Sequence, residues 1–437
     1  MVEDNARESL ISDTLVEAFK PLMEADPHGF RTKFRKMAAD PFAFYRGSAC
    51  LFYADMREVT DTWADEHTSR IWIHGDLHAE NFGTYMSSTG QLTFDINDFD
   101  EAYLGHFSWD LRRFTTSLAL MCWQKALPEE AVRSLARTYL AAYLDQVKHY
   151  DDVGQDDFAL HLGNTSGTIH AVLLAARASR RTDLLDAMTF VEDHERHFQD
   201  NSKTRRLEEA EHAMVAKAFE NYLRTIPEDK RSALEIFYNV KDIVGSTGFG
   251  IGSAGLPAYN VLIEGYNEAL ENDIIISMKQ GNLAAPSRIV TDERVRSYFE
   301  HDGHRTVISQ RALQVHTDTF LGYTTVDGVG FVVDELSPYK ADLRWDNLTE
   351  PAEIEPVLID LGRATAKVHC ASDEDSDQDL VNFQTERAIM QVTEGRREEF
   401  IEDILTFSLD YARTVRADHA LFVDAFRENR IPGVPST

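Results

Sequence analysis

One short segment, HGDLHAEN, limits the fold of this chain more than any other. It occupies residues 74–81 and follows RIWI, whose aromatic and β-branched side chains predict a strand. It leads into NFGTYM (81–86) and QLTFDI (91–96), which alternate as strands do and are separated by the turn-forming residues SSTG. The sequence therefore predicts a polar loop between a short strand and a β-hairpin.

The predicted hairpin gathers carboxylate and amide groups at one point. Its second strand runs directly into NDFD (97–100), and a hairpin returns the chain to the place where its first strand began. Asp98 is therefore expected to lie beside Asp76 and Asn81. Hard oxygen ligands of this kind suit Mg²⁺. Any single Asp here also has a simpler explanation, because Asp and Asn often stabilise turns through their own backbone.

This arrangement resembles the catalytic centre of the protein-kinase-like superfamily, especially its aminoglycoside-phosphotransferase and choline-kinase branch. That branch carries HGDxHxxN, then a hairpin, then an Asp-Phe pair. The resemblance implies that Asp76 is the catalytic base for an attacking hydroxyl group and that Asn81 and Asp98 bind Mg²⁺. It implies supporting roles around the loop for His74, His78, Asp100 and Asp110.

A kinase also needs a glycine-rich loop above the phosphates and a lysine on a neighbouring strand. The residues before the motif look helical and contain neither, but both occur downstream. GIGSAG, with Gly250, Gly252 and Gly255, lies between two predicted strands, and Lys279 ends the apolar strand IIISMK that follows. Glycine lets the backbone approach phosphate closely, although glycine clusters are often plain turns and a terminal lysine often reaches solvent.

The segments after Lys279 continue the order of a kinase small lobe. A helix is predicted at 305–314, a strand resembling the hinge at 331–336, and a further helix at 353–369. The catalytic loop thus precedes the nucleotide-binding lobe instead of following it. Because permutation is tolerated where the original termini lie close together at the surface, this order predicts a circularly permuted fold.

The predicted fold is α+β and protein-kinase-like, with two lobes. Residues 1–235 are expected to form a large, mostly helical lobe with the catalytic loop and the metal-binding hairpin. Residues 236–345 are expected to form a small antiparallel sheet that binds the nucleotide, together with the hinge. Residues 346–437 are expected to be helices that complete the large lobe.

The same resemblance implies that Asp334 and Leu336, at the hinge, contact the nucleotide. Two features depart from the kinase pattern. The helix after the strand lysine lacks the usual glutamate partner, and Gln310 is the nearest polar candidate. Asp100 stands where the Asp-Phe-Gly motif of kinases has glycine. A missing glutamate also occurs in kinase-like proteins that transfer AMP.

Several motifs considered together resemble the bacterial domain of unknown function 2252 family. They are RGSACLFYADM, GDLHAENFGTY, FDINDFDEAYLGHFSWDLRR, GIGSAGLPAYNVLIEG, ISQRALQ, DTFLGY and LGRATAKVH, and they span most of the chain. This resemblance implies binding of ATP and Mg²⁺ and an ATP-dependent phosphotransferase. The resemblance of HGDLHAEN to the aminoglycoside-phosphotransferase and choline-kinase branch implies that the acceptor is a hydroxyl group of a small molecule. Nucleotidyl transfer, protein phosphorylation, a non-catalytic nucleotide-binding pseudokinase and a metal-dependent hydrolase stay open as alternatives.

The composition limits the kinds of partner that the protein is expected to bind. The net charge of −30 repels phosphate backbones, so general nucleic-acid binding is not expected. No apolar run is long enough to cross a membrane, the first residues do not resemble a secretion signal, and the three cysteines are far apart. A cytoplasmic protein without membrane partners is the simplest expectation, and the oligomeric state is open. Arg177, Arg180 and Arg181 are candidates either for an anionic acceptor or for ordinary ion pairs.

Overall fold

The computed structural model describes residues 2–154, 158–246, 256–374, 376 and 379–437 of a mixed α+β protein with antiparallel sheets. The helices in this part of the chain are α1 (Val2–Ala25), α2 (Pro27–Met37), α3 (Pro41–Gly47), α4 (Ala49–Met56), α5 (Phe107–Gln124), α6 (Glu129–Val153), α7 (Gly167–Ala178), α8 (Arg181–Met188), α9 (Glu209–Tyr222), α10 (Glu293–Tyr298), α11 (Asp302–Leu313), α12 (Pro351–Cys370), α13 (Thr385–Thr393) and α14 (Arg397–Arg427).

The strands of the described residues form four sheets. They are β1 (Ile71–Ile73), β2 (Phe82–Met86), β3 (Leu92–Ile96), β4 (Tyr103–Gly105), β5 (Leu160–His161), β6 (Thr189–Glu192), β7 (Glu195–Phe198), β8 (Thr204–Arg206), β9 (Val240–Ser246), β10 (Ala258–Ile263), β11 (Ile274–Gln280), β12 (Gly322–Val326) and β13 (Val329–Glu335). The largest sheet has the order β12-β13-β11-β10-β9-β8. A smaller sheet has the order β2-β3-β5, and the remaining strands pair as β1 with β4 and β6 with β7.

Most of the helices share one continuous core. Helix α5 is buried along nearly its whole length, and its buried residues include polar side chains such as Asp110 and Arg113 as well as apolar ones. Helix α12 packs along α6 at Gly362, where an added Cβ would lie 2.5 Å from the carbonyl oxygen of Tyr139. Glycine is therefore required here by the close approach of two helix backbones.

We expect Gly362→Ala to lower the free energy of unfolding by about 1–3 kcal/mol, the usual cost of overpacking a core. In an exposed helix the same change would stabilise the protein by about 1 kcal/mol. Urea unfolding at one temperature measures the difference. Ile359→Ala, at a 42% exposed position of the same helix, is the control and should change stability little. A more stable Gly362→Ala protein would show that the helices can separate.

The six-stranded sheet has an apolar layer on each face. Helix α9 packs with β9 to β13 in a core that includes Phe219, Tyr222 and Met278. The opposite face carries a smaller cluster that includes Leu185 of α8 and Phe198 of β7. The division of the chain at 235/236 and 345/346 stays a prediction. Strand β8 is part of this sheet and α9 packs on it, although both elements precede residue 236.

One excursion of the chain joins the sheet to the helical part. After β11 the chain leaves the sheet, and Ala284, Ala285 and Val295 are buried in the core that the helices share. It then returns through α11, which lies against β12 and β13. The backbone at 284–288 also packs on α4. The sheet is therefore attached to the helical part by buried apolar contacts as well as by covalent links.

Two local predictions were wrong. The turn-like residues of DPFAFYRGSA (40–49) predict a turn, but Asp40 caps helix α3, and its Oδ1 accepts the N–H of Ala43 at 2.8 Å. The sequence from 108 to 234 predicts helices, but this stretch also contains β5 to β8. Asp193 and His194, both with positive φ, close the β6–β7 hairpin in two residues. The sequence did not reveal this hairpin, because the surrounding stretch has helical periodicity and a high density of charge.

Candidate active site

Asp110 supports the loop that carries HGDLHAEN. It is buried on α5, and its two carboxylate oxygens accept the backbone N–H groups of His74 at 2.6 Å and Gly75 at 2.9 Å. Nε2 of His369 lies 3.3 Å from Oδ2. Gly75 has φ +79°, and an added Cβ would lie 2.0 Å from the carbonyl oxygen of Glu101. The loop is therefore fixed at its first turn.

His74 connects this loop to the end of the hairpin. Its Nδ1 accepts the N–H of Asp76 at 3.3 Å, so Nε2 carries the proton and donates to the carbonyl oxygen of Asn97 at 2.8 Å. His78 is also buried, and Nε of Arg46 lies 3.3 Å from its Nε2. Burial, followed by the charge of Arg46, lowers the pKa of His78 well below its usual value. Both histidines therefore shape the loop.

Asp76 is held on one side by a buried arginine. Nε and Nη2 of Arg113 lie 2.6 Å and 2.5 Å from its Oδ1, and the guanidinium lies 4.3 Å from the centre of the Tyr45 ring. Nδ2 of Asn81 donates to the carbonyl oxygen of Asp76 at 2.9 Å. Within the described part of the chain, Oδ2 of Asp76 makes no hydrogen bond. One carboxylate oxygen is thus used for positioning and the other is left for chemistry.

The hairpin places Asp98 beside Asp76, and both residues line the same small pocket. The N–H of Asn97 donates to the carbonyl oxygen of Asn81 at 3.1 Å, which closes the hairpin one residue before Asp98. Asp98 has φ 63°, a left-handed conformation that Asp tolerates better than most residues. Its carboxylate makes no hydrogen bond or ion pair with the described residues.

Carboxylates crowd the floor of the cleft. Loss of solvation, followed by the charges of Asp100 and Asp76, raises the pKa of Asp98 to about 7. The side chain is nevertheless exposed to the open cleft, so water screens part of this effect. A bound cation would relieve the repulsion between these groups. A metal ion bound here would therefore stabilise the close approach of these carboxylates.

The groups present fit Mg²⁺ rather than a metal caged by protein alone. Asn81 is buried, and its Oδ1 has no hydrogen-bond partner among the described residues, as is also true of the Asp98 carboxylate. Within the same residues, no three or more His, Cys, Asp or Glu side chains are grouped to hold a metal. Mg²⁺ usually takes one or two protein oxygens and completes its octahedron with phosphate oxygens and water. An amide and one carboxylate meet that requirement.

Lys279 lies across the cleft from these ligands. It is exposed on β11, opposite Val332 of β13, and lines a cleft of about 380 Å³ together with Asp98, Asp100 and Gln310. Helix α11 contributes Gln310 but contains no glutamate. The ammonium group instead faces the carboxylates of Asp98 and Asp100, whose pKa values it lowers against the larger effect of burial.

The hinge acids have partners of their own. Asp334 pairs with Lys340 at 2.7 Å, and Glu335 pairs with Arg181 at 2.5 Å. Burial alone would raise the pKa of Asp334, but the charges of Lys340 and Lys279 outweigh it and hold that pKa below its usual value. Arg181 therefore forms an ion pair at the end of β13, whereas the other two candidate arginines, Arg177 and Arg180, are exposed.

Two further predicted contacts have different outcomes. The N–H of Leu336 donates to the carbonyl oxygen of Ile275 at 2.9 Å, so its backbone extends the pairing of β13 with β11 by one residue. Gly250, Gly252 and Gly255 lie outside the described residues. The strands on either side of them are described: β9 ends at Ser246, which pairs antiparallel with Ala258 at the start of β10.

Arg305 was not expected from the sequence, yet it links α11 to the catalytic loop region. It is buried and donates to the carbonyl oxygens of Asp100 and Ala102 at 2.7 Å and 2.6 Å, and to that of Asn282 at 2.7 Å. The residues after Asp98 are thus fixed to the helix behind the sheet. The contacts of Arg113 and Arg46 were not predicted either. No pattern in the neighbouring sequence shows that an arginine will make a long-range contact.

A larger cavity of about 830 Å³ lies between α7 and α12. It shares Lys340 and Asp342 with the cleft, but none of Asp76, Asn81 and Asp98 lines it. Among the described residues, none of the candidate site residues predicted from the sequence lines this cavity.

Fold and cleft together define a mixed α+β protein with an acidic, lysine-containing site at the junction of an antiparallel sheet and a helical core. The chain belongs to a family described as an uncharacterised protein conserved in bacteria (DUF2252), whose family model matches residues 25–425. No curated protein and no solved structure matched the chain. In the described residues, no helix has both the length and the apolar character needed to cross a lipid bilayer.

Proposed function

We propose that this protein is an ATP- and Mg²⁺-dependent phosphotransferase with a circularly permuted, protein-kinase-like fold, acting on a hydroxyl group of a small molecule. One observation carries the proposal. The hairpin brings the unpaired carboxylate of Asp98 beside Asp76 in one pocket, and Nδ2 of Asn81 donates to the carbonyl oxygen of Asp76. Lys279 lines the adjoining cleft together with Asp98. These are the groups that phosphoryl transfer requires, because it depends on positioning and charge neutralisation.

Each group has one task in this proposal. Oδ2 of Asp76 accepts the proton of the acceptor hydroxyl while Arg113 holds Oδ1 in place. Asn81 and Asp98 hold Mg²⁺, which would neutralise charge on the phosphate oxygens. Lys279 binds the phosphates from the side of the sheet. His74 and Asp110 keep the loop in position and touch no reacting atom.

The order of elements supports the fold proposal. The lysine strand β11 is followed by α11, then by β12 and β13, and the chain then leaves the sheet for the long helix α12. This is the order expected of a kinase small lobe, hinge and first large-lobe helix. The catalytic loop precedes all of these elements, as the permutation requires.

Transfer of AMP is the second candidate, because α11 offers Gln310 instead of glutamate to Lys279. The mass of the modified acceptor separates the two reactions. A phosphoryl group adds one phosphate to the acceptor, and a nucleotidyl group adds AMP.

Thermal unfolding with and without Mg²⁺ and ATP tests the binding site. A ligand present at a hundred times its dissociation constant stabilises a protein by about 2.7 kcal/mol. We expect the wild-type protein to shift upward, and Asp98→Ala and Lys279→Ala to shift little. Asp346→Ala and Lys203→Ala, at exposed positions away from the cleft, are the matched controls and should shift like the wild type. A wild-type protein that shifts with neither ATP nor GTP would contradict the proposal.

A further inference from the structure

A small pocket lies directly beside Asp76. Its lining includes three cations, Lys33, Arg46 and Arg288, together with the carboxylates of Asp76, Asp98, Asp100 and Glu101. We propose that the acceptor carries an oxyanion, a carboxylate or a phosphate, which Lys33 binds while the acceptor hydroxyl lies at Asp76. This inference rests on the proposed phosphotransferase function and names the class of its acceptor.

Lys33 is the observation that points to a ligand. It lies on α2 and is 4% exposed, with its ammonium group 3.9 Å from the centre of the Phe19 ring. Within the described part of the chain it makes no hydrogen bond and no ion pair. Burial lowers the pKa of Lys33 to about 8, against the opposing effects of Cys50, Glu101 and Asp76.

The Phe19 and Phe30 rings contact the ammonium group, but among the described residues no hydrogen bond or ion pair offsets its loss of solvation, so packing alone does not explain this lysine. Methionine or leucine would fill the space between α2 and Phe19 without the loss of solvation. Lysine at this position makes sense if an anion completes its coordination. The pocket supplies the space for such an anion next to the proposed catalytic base.

The carboxylates of the pocket are already engaged or proposed for other roles. Asp76 pairs with Arg113, and Glu101 accepts the N–H of Ala285. Asp100 interacts with the charges of Lys279 and Arg305, and Asp98 is a proposed Mg²⁺ ligand. Burial raises the pKa of Glu101 to about 7, which weakens it as a counter-ion for Lys33. The carboxylates therefore leave the charge of Lys33 incompletely balanced.

The two arginines differ in their availability. Arg46 pairs with Glu80, whereas Arg288 donates to the carbonyl oxygen of Ala18 at 3.1 Å and makes no ion pair with the described residues. Lys33 and Arg288 therefore remain to receive an anionic group. On a protein of net charge −30, binding of an anion requires a local positive site of this kind.

Calorimetric titration of the full-length protein with sodium acetate, inorganic phosphate and neutral glycerol tests the inference. Each titration is run with and without Mg²⁺ and a non-hydrolysable ATP analogue, so that phosphate cannot occupy the nucleotide site unnoticed. The variant is Lys33→Met. Lys36→Met, an exposed position on the same helix, removes the same charge and is the matched control.

We expect wild type and Lys36→Met to bind at least one of the two anions but not glycerol, and Lys33→Met to bind that anion at least tenfold more weakly. Lys33→Met should also unfold at the same temperature as wild type or higher. The anion that binds identifies the acceptor group as a carboxylate or a phosphate.

Two results would overturn the inference: no anion binding by wild type in either condition, or equal binding by Lys33→Met. The proposed function is tested separately, by binding of the ATP analogue alone. Analogue binding without anion binding would reject only the oxyanion pocket. Lys33-dependent anion binding without analogue binding would reject the phosphotransferase and leave an anion site.

Discussion

Replacing Asp110 with alanine is expected to lower the free energy of unfolding by about 2–6 kcal/mol. The change leaves the buried N–H groups of His74 and Gly75 without acceptors, and each such loss costs about 1–3 kcal/mol. His369 loses a partner as well. Urea unfolding followed by circular dichroism measures the effect.

Two further variants make this prediction specific. Asp110→Asn keeps one acceptor oxygen and should lose less stability than alanine. Asp346→Ala, at an exposed position, should stay within about 0.5 kcal/mol of the wild type. If Asp110→Ala lost no more than this control, the loop would not depend on Asp110 and its fixed geometry would need another cause.

The second large effect concerns Asp76 and Arg113 as a pair. Breaking a buried ion pair on one side costs about 3–5 kcal/mol, because the remaining charge is left uncompensated. Arg113→Met and Asp76→Asn should therefore each destabilise the protein, Arg113→Met by the larger amount because asparagine still accepts a hydrogen bond. The double variant should recover stability, because methionine and asparagine leave no unpaired charge.

Activity should separate from stability in the same set of variants. Removal of a general base lowers turnover by about 10²–10⁴-fold. Release of phosphate from labelled ATP, with water as acceptor, should fall by this amount in Asp76→Asn and in the double variant, even though the double variant is stable. Stabilisation by Mg²⁺ and ATP should persist in both. Turnover in the double variant close to wild type would exclude Asp76 as the base.

The sequence predicted the parts of the site that depend on neighbouring residues. The hairpin of β2 and β3 follows from alternation and a turn, and it alone brings Asp98 back to Asp76. Lys279 could be assigned to a strand because the five residues before it, 274–278, are apolar or small. Such features are local, so one chain without relatives is enough to reveal them.

The parts that could not be predicted depend on contacts between distant residues. Arg113 meets Asp76 across 37 positions, and Arg305 meets Asp100 across 205. Lys33 lines the pocket, but it lies on a helix whose sequence has the pattern of an ordinary amphipathic helix. No local pattern distinguishes these side chains from solvent-exposed ones, since their burial is decided by the packing of other elements.

The excursion between β11 and α11 has a consequence for turnover. Because Ala284, Ala285 and Val295 are anchored in the helical core, separating the sheet from the helices would expose apolar surface at each opening. In the proposed function, substrates and products would therefore enter and leave through an entrance that stays open, with little movement of the sheet relative to the helices. Small-angle X-ray scattering should then give nearly the same radius of gyration with and without nucleotide, and the rate of exchange would depend on the width of that entrance.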